Sequence, residues 1–326
     1  MSLRVLGLLL LLGLALAVPF VLYPVFIMKA LCFAIFAMSL NLLLGYAGLL
    51  SFGHAALLGS GSYITGHVAK VWGLPTELAL LVGVAAGALM GLLFGVLTSR
   101  RAGIYFAMIT FALAQMVYFL ALQLPFTGGE DGLQAIPRGY LLGTFDLTDN
   151  VLMYYFVLAI FILGLAFVWR VVTSPFGQVL RAVKDNEPRA ISLGYKPHHV
   201  KIVVFTIAGG LGGLAGGLKA LVFGIASLTD VYWHTNGEVV LMTILGGVGT
   251  LFGPVVGAFV VVLIQNYFAE SGAWVTIIQG IVFVVVVLSF RRGLVGELGP
   301  LLRRLTARAR PADRTTGTPQ EDALHG

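Results

Sequence analysis

Long apolar runs dominate the chain, and short polar or glycine-rich stretches punctuate them. A run of about 17–25 apolar residues is long enough to cross the hydrocarbon core of a bilayer as a helix. By that measure spans are predicted near 5–23, 30–46, 49–69, 77–98, 103–123, 150–169, 202–222, 251–268 and 274–290. A further stretch, NGEVVLMTILGGVG at 236–249, is short for a regular span and ends in glycines. Two polar interruptions stand out, one over 124–149 and one at 181–201, RAVKDNEPRAISLGYKPHHVK.

Composition makes lipid the main solvent: 59% of residues are hydrophobic and 10% charged, against about 45–50% and 25% in an ordinary soluble domain. The net charge of +6 would suit nucleic acid in a soluble protein, but the positions of the charges report topology instead. Lys and Arg accumulate in cytoplasmic loops beside spans. With Arg4 inside, Arg100, Arg101 and the 170–201 region all fall inside, and Arg291 and Arg292 do so only if 236–249 also crosses. The expectation is an all-α polytopic membrane protein with about ten transmembrane segments, some broken, and both termini cytoplasmic. Lys29, Lys70, Arg138 and Lys219 then lie toward the outer side, and nucleic acid drops out as a partner.

Residues 1–296 are expected to form the transmembrane domain, with a cytoplasmic loop over 171–201 and an outer loop over 124–149. Residues 297–326 turn basic and poor in apolar side chains, as a disordered cytoplasmic tail does. In the first span, Arg4 and Ala15-Leu16-Ala17 also fit a cleavable secretory signal. The apolar run continues through Phe20, Val21 and Leu22, which favours an uncleaved anchor. Cys32 is the single cysteine and forms no internal disulfide.

Glycine spacing divides into two kinds. Gly83, Gly87, Gly91 and Gly95, and likewise Gly209, Gly213 and Gly217, recur every four residues, a ridge that lets membrane helices pack backbone to backbone. The clusters at 40–66 and 244–259 instead interrupt spans, and Gly48, Gly53, Gly247 and Gly249 mark the expected breaks. Broken helices expose backbone groups at membrane depth and are tolerated only inside protein or beside a polar cavity. Asn41, Ser51, His54, Thr110, Gln115 and Gln265 are therefore candidates to line a translocation path, with interhelical hydrogen bonding the plainer role for each. Glu238 is expected to meet water at the outer start of the short stretch. A proton relay through His54 is disfavoured, since no acid sits well inside a span to accept the proton.

Enzyme chemistry finds no support. The phosphate-loop ending Gly-Lys-Ser/Thr is absent, as are H-E-x-x-H and C-x-x-C, so no catalytic residue, metal ligand or cofactor is expected. An intramembrane lipid enzyme would need a polar cluster in the spans. A channel or secondary carrier would not need the polar island at 181–201. That island reads as two short helices: Ser174 caps one beginning at Pro175, and Asp185 or Asn186 caps a second. Pro188 falls in the second helix's first turn and Gly194 closes it. Mixed acids and bases on the island favour a soluble partner over anionic lipid.

Four ordered blocks now carry a resemblance: SLNLLLGYAGLLSFGHAALLGSGSY, RRAGIYFAMITFALAQMVY followed by TGGEDGL, SPFGQVLRAVKDNEPRAISLGY, and ILGGVGTLFGPVVGA. The chain resembles the LivM-type inner-membrane permeases of bacterial branched-chain amino-acid ABC transporters. The resemblance implies a second, LivH-like permease subunit, two cytoplasmic ATPases and a periplasmic amino-acid-binding protein as partners. It also implies that the island seats in an ATPase groove, with Arg181, Asp185, Asn186, Glu187, Arg189 and Gly194 as the coupling residues. Pro188 departs from the helix-favouring residue usual there. Related importers for urea, amides or other small amino acids share the architecture. The outer stretch Thr127, Gly128, Gly129, Glu130, Asp131 and Gly132 is expected to receive the binding protein, its acids meeting basic groups across flexible glycines.

Overall fold

A computed structural model describes residues 19, 23–141, 143, 145–268, 274–289 and 293–296. The first predicted span, apart from residues 19 and 23, lies outside them, as do Arg291, Arg292 and the tail over 297–326. Helix α1 (Pro24–Asn41) runs into a π-helical turn, Leu42–Tyr46, and is followed by α2 (His54–Lys70), α3 (Thr76–Thr98) and α4 (Gly103–Gln123). After the 124–149 loop come α5 (Asn150–Thr173), the short pair α6 (Pro175–Asp185) and α7 (Glu187–Ser192), and the long α8 (Pro197–Phe223). The last described helices are α9 (Trp233–Gly246), α10 (Gly253–Tyr267) and α11 (Trp274–Ser289).

Among the described residues, five segments are long and apolar enough to cross a membrane: Pro24–Tyr46, Thr76–Thr98, Gly103–Gln123, Asn150–Thr173 and Pro197–Phe223. The molecule is an all-α membrane protein. Among the described residues, strand structure amounts to a two-residue antiparallel pair in the loop after α4, Tyr140–Leu141 with Phe145–Asp146. The predicted span at 49–69 begins late, at His54, because residues 48–53 leave the helical path.

Apolar all round, α1 is buried almost throughout and packs against α5, α8, α9 and α10. By contrast α3, α4 and α5 turn large apolar side chains outward, Leu81, Ile104 and Leu163 among them, as helices facing lipid do.

The glycine ridges meet where α3 crosses α8. A Cβ added at Gly213 would stand 2.6 Å from the Gly83 carbonyl oxygen and 2.9 Å from Gly87 Cα, and one at Gly91 would stand 2.9 Å from Gly209 Cα. The α2 backbone closes on the same ridge, since a Cβ at Gly216 would stand 2.8 Å from the Leu58 carbonyl carbon. Three helices thus meet main chain to main chain along this ridge. Thr98 and Ser99 end α3, and Ser99 Oγ lies 2.5 Å from His198 Nδ1 at the start of α8. His198 therefore ties two helices together.

Gly213→Val forces a branched side chain into the α3 backbone, and overpacking of this kind costs about 1–3 kcal/mol. Gly210→Ala on the same helix meets only ordinary contacts, with Ala88 Cβ at 3.6 Å. The first variant is expected to lower the thermal unfolding temperature in detergent and the yield of folded protein, while the second leaves both near wild type.

Candidate functional site

The two glycine interruptions lie against each other. The π-helical turn after α1 leaves carbonyls free, and residues 48–53 then run to α2 without helical bonding, while residues 247–252 separate α9 from α10. Gly48, Gly247 and Gly249 have φ of +70°, +122° and +78°, a region that L side chains rarely adopt. A Cβ at Gly45 would stand 2.8 Å from Gly249 Cα, so the breaks approach at backbone contact.

Asn41 locks them together, and Asn236 fastens the helix that follows the first. Asn41 is buried; its Nδ2 donates to the Thr250 carbonyl at 2.8 Å, and its Oδ1 accepts from the Gly249 N–H at 2.9 Å. In return Asn236, on α9, accepts from the Ala55 N–H at 2.7 Å and so satisfies one of the free donors at the start of α2. The remaining candidates fasten the first break. Ser51 Oγ accepts from the Gly53 N–H at 3.2 Å, and Thr110 Oγ1, on α4, accepts from the Phe52 N–H at 3.2 Å. A Cβ at Gly53 would stand 2.7 Å from both Phe94 Cε2 and the Thr110 carbonyl oxygen. His54 bonds Ser39 through Nε2 at 2.7 Å and stacks on Phe36 with ring centroids 5.4 Å apart. Gln115 is half-buried on α4 and joins none of these bonds.

The polar island adopts the two helices read from the sequence. Ser174 Oγ accepts from the Gly177 N–H at 3.3 Å to cap α6, and Asn186 Oδ1 accepts from the Arg189 N–H at 2.9 Å to cap α7. Asp185 ends α6 with its side chain exposed. Pro188 sits in the first turn of α7, where its missing N–H costs no helical bond. Gly194 has φ of +86° and turns the chain toward α8. Arg189 is exposed, but Glu187 is not free: both its carboxylate oxygens accept from Lys201 Nζ, at 2.8 and 2.9 Å. The Lys201 side chain is only 7% exposed, so Glu187 neutralises a nearly buried ammonium.

Two bonds that sequence reasoning missed join the island to the first break. Lys184, at the end of α6, donates from Nζ to the Gly45 carbonyl at 2.7 Å, and its stem fills the space where a Gly48 side chain would go. The Arg181 guanidinium lies 5.3 Å from the centroid of the Tyr46 ring, within reach of a cation–π attraction. Helical patterning could place Lys184 on α6, but nothing in it points to a carbonyl so far away in sequence.

Toward the other end of α1, the 124–149 loop is strapped down rather than loose. Leu133 and Ala226 exchange backbone bonds at 2.8 and 2.9 Å, and Arg138 donates to the Val222 carbonyl at 2.8 Å. Thr127 is buried and donates to the Ala121 and Leu124 carbonyls. Gly128, Gly129 and Gly132 form fixed turns of positive φ, which leaves Glu130 and Asp131 as the exposed charges of that stretch. The Asp146 carboxyl, exposed beyond the membrane-spanning helices, is held below the usual carboxylate range by hydrogen bonds from the Thr148 side chain and backbone. Beneath this loop, Gln265 donates to Glu238 at 2.7 Å beside a cavity of about 540 Å3. The Glu238 side chain is 16% exposed and faces this cavity rather than the outer surface, with Gln265 of α10 against it.

Asn41→Leu keeps the volume and removes both bonds to the second break. The Gly249 N–H and Thr250 carbonyl are partly buried, so leaving each unpaired costs up to about 1–3 kcal/mol, the figure for a fully buried group. The variant is expected to unfold at lower temperature and to raise the thiol-labelling rate of a Thr250→Cys reporter.

Residues 25–287 match the family described as branched-chain amino acid transport system / permease component. The chain is 28% identical over 305 residues to the high-affinity branched-chain amino acid transport system permease protein LivM of Salmonella typhimurium, covering 85% of this chain and 71% of that one. It is 26% identical over 294 residues to LivM of Escherichia coli, covering 83% and 69%. A shorter match, 28% over 202 residues, covers 55% of this chain and 58% of the ribose import permease protein RbsC of Bacillus subtilis. No solved structure gives a significant match. With most of its length inside the matched region, the chain belongs to the family of branched-chain amino acid transport system permease components.

Proposed function

We propose that the chain is the permease subunit of an ATP-driven importer that carries branched-chain amino acids across the bacterial inner membrane. The observation that carries this reading is the direct bonding of the polar island to the broken helix, Lys184 to the Gly45 carbonyl. A cytoplasmic ATPase that closes on nucleotide needs a rigid element to push. The capped pair α6–α7 supplies one, and its displacement reaches the breaks without an intervening loop. Arg181, Asp185, Asn186, Arg189 and Gly194 serve this coupling as contact, cap or turn. Glu187 serves it by fixing α7 to α8 through Lys201.

The branched-chain substrate class is supported by the two LivM relatives, which match most of the chain, whereas the ribose permease matches about half. In the assembly proposed, a LivH-like permease pairs with this one, two ATPases sit beneath, and a periplasmic binding protein delivers solute at Glu130 and Asp131. Ten spans with both ends cytoplasmic fit the basic residues. The island bonds to the far end of α1, and the strapped loop lies toward its beginning. Asn41, Gly48, Ser51, Gly53, His54, Thr110, Gly247 and Gly249 then form the moving part of the path. Uptake of labelled leucine, isoleucine and valine against ribose by the reconstituted complex tests the substrate class; ribose uptake alone would overturn it.

Glu187→Lys places a second cation against Lys201 and is expected to reduce leucine uptake several-fold with the permease still inserted. The exchange Glu187→Lys with Lys201→Glu restores the pair and is expected to recover uptake and ATPase co-purification. Persistent loss of co-purification in the double variant would mean that Glu187 meets the ATPase directly.

Reversing Glu130 and Asp131 to Lys is expected to lower uptake at limiting binding protein and to change its dependence on salt, because rim charges act on encounter more than on the chemistry beyond it. Uptake that is unchanged across salt concentrations would remove the docking role.

A further inference from the structure

Beneath the strapped loop, five helices leave the cavity of about 540 Å3, bordered by α1, α8, α9, α10 and α11 and by residues 225–230. That volume falls within the range of small-molecule sites, about 300–1,000 Å3. Charge within membrane-spanning helices is costly and marks function, and this cavity gathers four ionisable side chains on its wall besides His234: Lys29, Lys219, Asp230 and Glu238.

Two of these are already spoken for. Asp230 is almost fully buried, pairs with Lys219, and accepts from Ser62 Oγ at 3.0 Å. The other two remain available. Lys29 lies over the Phe33 ring at 6.0 Å from its centroid and makes neither hydrogen bond nor ion pair to any described residue. Glu238 accepts from Gln265, which brings no charge, and stands 3.6 Å from His234 Nδ1. Gln279, on α11, supplies an independent pointer: it is only 6% exposed, borders the cavity, and its Nε2 donor has no partner among the described residues. A buried amide with no acceptor costs about 1–3 kcal/mol, a cost that a bound acceptor removes.

We infer that this cavity binds a free amino-acid zwitterion, with Lys29 and the Gln279 amide receiving the carboxylate and Glu238 receiving the ammonium. One spare cation, one spare anion and one spare neutral donor match a molecule that carries both charges and is neutral overall. A sugar's hydroxyls can bond both Lys29 and Glu238 but carry no charge to balance either, and a monovalent ion balances only one of them. Phe33, Phe223 and Ile225 provide the apolar wall against which a branched side chain rests. The site rests on the import function proposed above and adds to it a holding point in the permease itself, between the binding protein and the broken helices.

The test uses the intact reconstituted transporter and thiol protection. Cys32 is the single cysteine of this chain and is buried, so a Thr229→Cys reporter on the cavity wall is the one accessible thiol in it. L-Leucine is expected to protect this reporter from a water-soluble maleimide in the absence of binding protein. Isoamylamine, which lacks the carboxylate, and 4-methylpentanoate, which lacks the ammonium, are expected not to. Lys29→Met is expected to raise the leucine concentration for half-protection about 10–100-fold, the loss of one bond to a charged group, while Lys29→Arg keeps most of the effect. Gln279→Leu, a milder change that preserves volume, is expected to shift half-protection in the same direction. Labelling that ignores leucine in a transporter that imports leucine overturns the site and leaves the import function standing. Equal protection by the amine or the acid overturns the zwitterion assignment. A wild-type complex that imports no branched-chain amino acid overturns both readings, and it shows before any variant is made.

Discussion

Lipid offers no reward for hiding one apolar helix against another, so close contact must come from shape. In this protein that contact is the main-chain meeting of α2, α3 and α8 along their glycines, and the rest of the structure hangs from it. Held on this platform, α8 is a long strut with an ion pair toward each end. Lys201 meets Glu187 beside the short α7, and Lys219 meets Asp230 beside the cavity. At 1.5 Å per residue the two lysines stand roughly 27 Å apart. A strut of that length reports at one face of the membrane what happens at the other, provided its middle cannot bend. Backbone-to-backbone packing through Gly209, Gly213 and Gly216 keeps it from bending.

Against the rigid seam stands the pair of breaks, built on the opposite logic. Each interruption frees peptide groups that lipid cannot satisfy, and asparagines from neighbouring helices take up some of them. Asn41 serves the second break and Asn236 the helix start after the first. The Asn41 bonds do not survive a separation of the two breaks, so the end of α1 and residues 249–250 move as a unit or not at all. Lys184 grips the same unit from the short pair α6–α7 by a single bond to a carbonyl that the π-helical turn releases.

Much of this was legible in the chain. Period-four glycines gave the seam, clustered glycines gave the breaks, and Ser174, Pro175, Asn186 and Gly194 gave the two short helices with their caps, because each of these is a local rule acting over a few residues. What escaped was long-range and polar. Lys29 and Lys219 read only as charges toward the outer side, and only the folded chain gathers them with Asp230 around one cavity. Lys201 read as the last residue of a loop, yet it lies in the first turns of α8 facing Glu187. A hydropathy profile averages over such residues, and a motif search has no pattern for a lysine that bonds a distant carbonyl. Thr127 erred the other way: its neighbours suggested an exposed docking stretch, and its hydroxyl turned inward to cap α4.

The π-helical turn at Leu42–Tyr46 has one more consequence. Such a turn holds one residue more than the α-helix around it, so it behaves as an insertion that the fold has absorbed. Remove a residue there and α1 would continue as regular helix, with its upstream part rotated by about 100° relative to the chain beyond. Lys29 and Phe33 would leave the cavity if Gly45 kept its lysine, or Gly45 would leave Lys184 if the cavity kept its wall. The length of this helix is thus set from both ends at once. Substitutions within it are negotiable, but single-residue gaps are not.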